Sequence, residues 1–355
     1  MSLKRFYEDS ASYSKYATTL GDPKNIRLKI NSNENLFLPE GTVREALIEA
    51  AEDFDPRIYP IKEELTLKDA IAEMIDIDPA SIVIESGGDR VIDLAISSLL
   101  KEGDRIFAIE PTFSMYLKTA EIRRMDYGCY LLDPNFDFNP SKLLEASEGA
   151  KMVIFCNPNN PTGNQFKKEK VEETIEGFNG PVLIDEAYVE YSDYSLAKRA
   201  AEGENLMVLR TFSKAFGLAG LRIGYLVTSP KIAKVLNELY RQPYPVSGFA
   251  ARVAVNMIRR EKMVNEAVKN TQLEREKTLT KLNTFNKLKA FPSSTNFILF
   301  DSQMDYQELY HRLLYAGILV RKIGKVPGHN NCLRATVAPH EKMNIFFNAL
   351  EEALK

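Results

Sequence analysis

Met152-Val153-Ile154-Phe155-Cys156-Asn157-Pro158-Asn159-Asn160-Pro161-Thr162-Gly163 begins as an unbroken apolar run and ends in a cluster of turn formers. An apolar run without polar alternation reads as a strand covered on both faces. The asparagines, prolines and glycine behind it end the strand in a turn at the sheet edge. The same grammar recurs on either side. Ile82-Val83-Ile84 leads to Gly87-Gly88-Asp89, Val182-Leu183-Ile184 to Asp185-Glu186-Ala187-Tyr188, and Met207-Val208-Leu209 to Thr211-Phe212-Ser213-Lys214. Ile106-Phe107-Ala108-Ile109 reads as a fifth strand, and residues 91–96 and 168–173 have the pattern of crossover helices. Residues 81–228 therefore read as an α/β unit, a mostly parallel central sheet flanked by helices.

In open sheets of this kind ligands bind outside the carboxyl ends of the strands. Polar clusters at four strand ends therefore point to one site. Asp185 ends a strand, where a carboxylate is costly to bury without a positive partner; a helix N-cap is the other use of an acid there. Tyr188, three residues on, is within reach of the same ligand. Lys214 lies among small and apolar residues, which lowers an amine's pKa and suits it to attack an aldehyde, although most lysines are simply solvated. Thr211 and Ser213 offer hydroxyls to a phosphate and Arg222 a planar charged fork, or else a solvated side chain. Gly88 and Asp89 open a helix whose first amides suit an anion. Asn160 is held between two prolines. Phe113 is placed to stack on a planar ring, or to fill the core.

The rest of the chain sets bounds. After Pro243-Tyr244-Pro245 comes a long charged helical stretch to about residue 286, then Asn296-Phe297-Ile298-Leu299-Phe300, a helix over 306–316, short strands around Val320 and Leu333, and a closing amphipathic helix. This is a smaller α+β lobe. The expected division is an N-terminal segment, 1–53, packing with the small lobe; a large domain, 54–245; and a small domain, 246–355. Forty-six basic residues against 49 acidic ones leave a formal charge of -3, too little field to hold nucleic acid or an anionic membrane. Three scattered cysteines and three histidines without ligand spacing give no disulfide framework and no metal site. A soluble, cytoplasmic protein is expected.

Asn159-Asn160-Pro161-Thr162-Gly163, Asp185-Glu186-Ala187-Tyr188 and residues 211–222, in this order, resemble the fold-type I aminotransferases of classes I and II. Asn33-Glu34-Asn35, Tyr59-Pro60 and Cys332-Leu333-Arg334-Ala335-Thr336-Val337 extend the resemblance to the histidinol-phosphate aminotransferase subfamily and to essentially the whole chain. Phe113 stands where that subfamily usually has tyrosine, and Gly87-Gly88-Asp89-Arg90 where it usually has Gly-Ser-Asp-Glu. The resemblance implies pyridoxal 5'-phosphate as cofactor, carried on Lys214. Asp185 would pair with its ring nitrogen, Tyr188 and Asn160 with its ring oxygen, and Phe113 would stack on the ring. Gly88, Asp89, Thr211, Ser213, Arg222 and, across a homodimer interface, Tyr59 of the partner subunit would hold its phosphate. Asn35, Arg321 and Arg334 would meet the substrate. The implied reaction moves an amino group from a small-molecule amino donor to a 2-oxo acid, histidinol phosphate and 2-oxoglutarate being the expected pair. An aminotransferase for aromatic or other amino acids, or a threonine-phosphate decarboxylase, is the alternative on the same scaffold.

Overall fold

The computed structural model describes residues 25–355; the first 24 residues of the expected N-terminal segment lie outside the described residues. Seven strands form the large sheet: β1 (Ile82–Glu85), β2 (Arg105–Glu110), β3 (Asp126–Leu131), β4 (Met152–Cys156), β5 (Val182–Asp185), β6 (Leu206–Thr211) and β7 (Gly224–Val227). Their order is β1-β7-β6-β5-β4-β2-β3. All neighbours are parallel except β7, which runs antiparallel to β1 and β6. The five strands expected from sequence are present, and β3 and β7 are additional.

Helices α1 (Glu40–Ala51), α2 (Ile61–Ile75), α3 (Gly88–Leu99), α4 (Met115–Ile122), α5 (Lys168–Gly177) and α6 (Gly248–Ile258) flank this sheet. Side chains alternate across it, so the two faces have separate cores. Val153, Phe155, Val182 and Ile184 meet Leu67, Ile71, Val171 and Ile175 on one face. Ile154, Cys156, Leu183 and Leu209 meet Val91, Ile92 and Tyr116 of α3 and α4 on the other. Cys156, Asp185 and Leu209 are in register across three strands, which puts the Asp185 carboxylate on the α3–α4 side.

The smaller sheet has β8 (Leu288–Ala290), β9 (Phe297–Ser302), β10 (Arg321–Val326) and β11 (His329–Thr336) in the antiparallel order β10-β11-β9-β8. One face, with Ile298, Phe300, Leu333 and Ala335, packs on two helices, Tyr306–Tyr315 and His340–Ala353. The opposite face carries Phe297, Leu299 and Cys332 into the large core. Alternation along β11 therefore turns Arg334 and Thr336 toward the large sheet. Leu28 and Lys29 pair in parallel with Ile318 and Leu319, so the chain from residue 28 packs with the small lobe. By contrast α6, which the sequence division puts in that lobe, buries Val253, Ala254 and Met257 in the core shared with α1 and α2. Its apolar face is matched to theirs, and α1 goes with it. Among the described residues no helix is long and apolar enough to cross a membrane.

Candidate active site

A cavity of about 370 Å³ lies at the carboxyl ends of β4, β5 and β6, roofed by the face of the small sheet that carries Arg334. Twelve of the fourteen expected site residues line it: Gly88, Asp89, Phe113, Asn160, Asp185, Tyr188, Thr211, Ser213, Lys214, Arg222, Arg321 and Arg334. Tyr59 and Asn35 do not. Tyr59 is 73% exposed and stacks on Tyr244 at 4.8 Å between centroids; its sequence neighbours Ile58 and Ile61 are exposed as well. Asn35 was expected at the substrate but sits behind Lys214. Its amide donates to the Ala215 carbonyl at 2.7 Å and accepts from the Phe37 N–H at 2.9 Å, so both ends are used within the chain.

Asp185 is at the floor. Its Oδ2 accepts from the Tyr116 hydroxyl at 2.7 Å and its Oδ1 from the Ala187 N–H at 3.0 Å. Burial pushes the carboxyl up to about 6, against the pull of these two donors. The site thus holds a buried acid that a cation in the cavity would keep ionised. Lys214 faces it from the loop after β6. Its amine donates to the Ser32 carbonyl at 3.1 Å and lies 5.6 Å from the Tyr188 ring centroid. Burial and then the charge of Arg334 lower its pKa to about 8, so a useful fraction is the nucleophilic free amine near neutrality.

At the other end, the first turn of α3 meets the loop after β6. Gly87 has φ +85°, and a Cβ there would lie 2.6 Å from Arg222 Nη2. A Cβ on Gly224 would lie 2.7 Å from the Gly87 carbonyl carbon. Glycine at both positions lets β7 and Arg222 close on the helix start, whose first amides have no intrahelical acceptor. Arg222 pairs with Asp89 at 3.1 Å, and the Thr211 and Ser213 hydroxyls are 3.1 Å apart beside them. The result is a cradle for a small anion.

Arg334 is buried and lies over the Phe297 ring, 4.8 Å from its centroid. Its guanidinium donates to the Asn160 side-chain oxygen and, at 3.0 Å, to the Asn31 carbonyl. Arg321 stands directly opposite it on β10.

The family described as aminotransferase class I and II matches residues 25–350. The chain belongs to that family. This aminotransferase is 32% identical over 330 residues to the histidinol-phosphate aminotransferase of Ruminiclostridium cellulolyticum, covering 91% of this chain and 92% of that one. It is 34% identical over 349 residues to that of Dehalococcoides mccartyi strain CBDB1, covering 97% and 96%. Among solved structures its fold is similar to that of histidinol-phosphate aminotransferase from Sinorhizobium meliloti in complex with pyridoxal-5'-phosphate, with a TM-score of 0.89 at 24% identity over 99% and 97% of the two chains. It is also similar to L-threonine-O-3-phosphate decarboxylase from Porphyromonas gingivalis, with a TM-score of 0.79 at 20% identity over 92% and 99%. The fold-type I architecture expected from sequence is the one observed.

The aminotransferase site also has residues that sequence reasoning did not single out. Tyr116 sits one helical turn beyond Phe113 and holds Asp185; its only sequence signal is that spacing. Cys156, buried beside Asp185, lines the cavity. Asn31, Ser32 and Asn33 form a strap along its rim.

Proposed function

We propose that this aminotransferase uses pyridoxal 5'-phosphate to exchange an amino group between histidinol phosphate and 2-oxoglutarate, as a cytoplasmic homodimer. The observation that carries the substrate is the Arg321↔Arg334 register pair. Like charges directly opposite on one sheet face are destabilising, so two guanidinium groups lining one cavity favour an anion between them. A guanidinium fork accepts phosphate or carboxylate equally, which suits a site that must take a phosphate monoester and then a dicarboxylate. Two relatives of this chain, at 32% and 34% identity, are histidinol-phosphate aminotransferases.

The residues present fit the cofactor. Asp185 is a buried acid suited to a ring N–H, Lys214 is a lysine of lowered pKa, and Gly88, Asp89, Thr211, Ser213 and Arg222 form an anion cradle of the right chemistry. Phe113 would stack on the ring, and Tyr188 and Asn160 would meet its oxygen. When bound, the cofactor supplies an electron-withdrawing ring that takes up the charge left when the substrate's α-proton is removed. Asp185 keeps a proton on the ring nitrogen side of the cavity. Lys214, with its amine poised near neutral pH, removes and returns the α-proton as general base and acid. Arg334 and Arg321 orient the anionic end of the substrate, and the walls from both lobes exclude water. We place Tyr59 of the partner subunit at the phosphate, supported by its exposure and that of its sequence neighbours Ile58 and Ile61. The boundary between the lobes belongs, in this reading, near residue 258 instead of 245.

The test is a half-reaction screen on the holoenzyme, following the bound cofactor's absorbance on mixing with histidinol phosphate, histidinol, phenylalanine and threonine phosphate, with borohydride trapping on Lys214 as the control. Histidinol phosphate is expected to bleach it fastest. Preference for phenylalanine would leave an aminotransferase with another substrate, and release of CO₂ from threonine phosphate would make the enzyme a decarboxylase.

A further inference from the structure

We propose that Asn33 is a positioning residue that makes Tyr188 a one-way hydrogen-bond donor into the cavity. This rests on the functional reading above, in which Tyr188 meets the cofactor's ring oxygen.

The network starts from a group that can only donate. The Asn33 backbone N–H lies 3.0 Å from Thr336 Oγ1, so that oxygen accepts. The Thr336 hydroxyl proton is then available to Asn33 Oδ1, 3.3 Å away. With its oxygen facing Thr336, the Asn33 amide presents Nδ2 to the Tyr188 hydroxyl at 2.9 Å. An amide nitrogen has no acceptor capacity, so the Tyr188 oxygen must accept, and its own proton is directed to the cavity it lines. In this arrangement the amide orientation and the polarity of the phenol are set together.

The backbone pays attention to the same point. Asn33 has φ +58°, is 1% exposed, and its carbonyl accepts from Asn296 Nδ2 at 3.0 Å. Asparagine and aspartate are the side-chain-bearing residues that adopt this left-handed conformation most readily. Thr336 is fully buried and does not line the cavity, so it reaches Tyr188 by hydrogen bonds through Asn33 and by packing through Phe297, its register partner, whose ring stands edge-on to Tyr188.

The test is the pH titration of the bound cofactor's absorbance in holoenzyme without substrate. A donor to the cofactor's ring oxygen favours its deprotonated form, so loss of that donor raises the titration midpoint. Tyr188→Phe is expected to raise it by about one pH unit, a tenfold change in proton affinity. Asn33→Asp keeps the shape and the left-handed backbone but offers an acceptor to Tyr188, and is expected to raise the midpoint comparably. Thr336→Val is expected to raise it, and Thr336→Ser to leave it in place. If Tyr188→Phe moves the midpoint while Asn33→Asp and Thr336→Val do not, the relay is overturned and the functional reading stands. Equal shifts in Thr336→Ser and Thr336→Val overturn it too, since packing alone would then explain both. A Tyr188→Phe enzyme with the wild-type midpoint, or wild-type protein with no lysine-bound chromophore, removes the functional reading itself. Should Thr336→Val fail to fold, Asn33→Asp decides.

Discussion

Asp185 is the residue whose environment and chemistry are most tightly linked. Its folded pKa of about 6 lies above the ordinary aspartate value of 3.8, so between these two values the native apoprotein binds a proton that the unfolded chain releases. Stability from this group is present below about pH 4 and is lost as pH rises through 6, by on the order of 3 kcal/mol. Urea unfolding of the apoprotein at pH 4 and pH 7 should therefore show Asp185→Asn gaining on wild type at the higher pH. Turnover should move the opposite way, falling by orders of magnitude in the same variant. Equal stability differences at both pH values would mean that the carboxylate already has a cation. Arg334→Ala should lower kcat/KM in both half-reactions by roughly two to three decades, because it removes a buried, charge-assisted contact. Arg321→Ala should weaken histidinol phosphate more than glutamate; equal losses would assign Arg321 to neither end of the substrate in particular.

At the scale of elements, the meeting of α3 with β7 separates two kinds of glycine. Ala at 87 would strain a φ of +85° and touch only the flexible tip of Arg222. With ψ at 165° this is a conformation almost reserved for glycine, so Gly87→Ala should cost about 1–3 kcal/mol of stability, with a further drop in cofactor affinity as Arg222 swings off Asp89. In Gly224→Ala the added methyl meets the Gly87 and Gly88 backbone at 2.7 and 2.8 Å, and overpacking against main chain should cost about 1–3 kcal/mol. Thermal melts with and without cofactor would separate the two, and a cofactor-dependent loss confined to Gly224→Ala would contradict the assignment. The elements themselves differed in how legible they were. Strands β1, β2, β4, β5 and β6 are apolar on both faces and stand out in sequence. Strand β3 is the sheet edge and carries exposed Asp126 and Leu131, so it lacks that signature, and β7 follows a glycine-rich loop that reads as a turn. The strand-end clusters gave one wall of the cavity. Asn33, Tyr116 and Asn35 owe their positions to partners between 69 and 303 residues away, which no local pattern specifies. Helix α6 follows a proline-rich break that reads as a lobe boundary, yet it packs on α1 and α2, a contact no local pattern announces.

For the whole molecule, the reading that Tyr59 of the partner subunit completes each site makes activity a property of pairs. Lys214→Ala and Tyr59→Ala should each be nearly inactive alone. Mixed, unfolded and reassembled together, they should recover about a quarter of wild-type activity, since half of the random pairs contain one intact site. No recovery, with dimers confirmed by sedimentation, would put Tyr59 outside its neighbour's site.

The strap at Asn33 has a consequence for the order in which the protein is made. Its contacts reach Asn296 and Thr336, the latter 303 residues later in the chain. At typical synthesis rates of about 5–20 residues per second, Asn33 leaves the ribosome roughly 15–60 s before its partner exists. All seven strands of the large sheet and Lys214 itself are translated earlier in that interval, whereas Arg334 and the anchor for the strap come only at its end. Lys214 of a nascent chain therefore stands in a half-walled site, open to water, and the cavity closes only once residue 336 has been made. Newly made chains would hold the cofactor loosely until that late contact forms, so birth of the catalyst is timed by its slowest, most distant pairing.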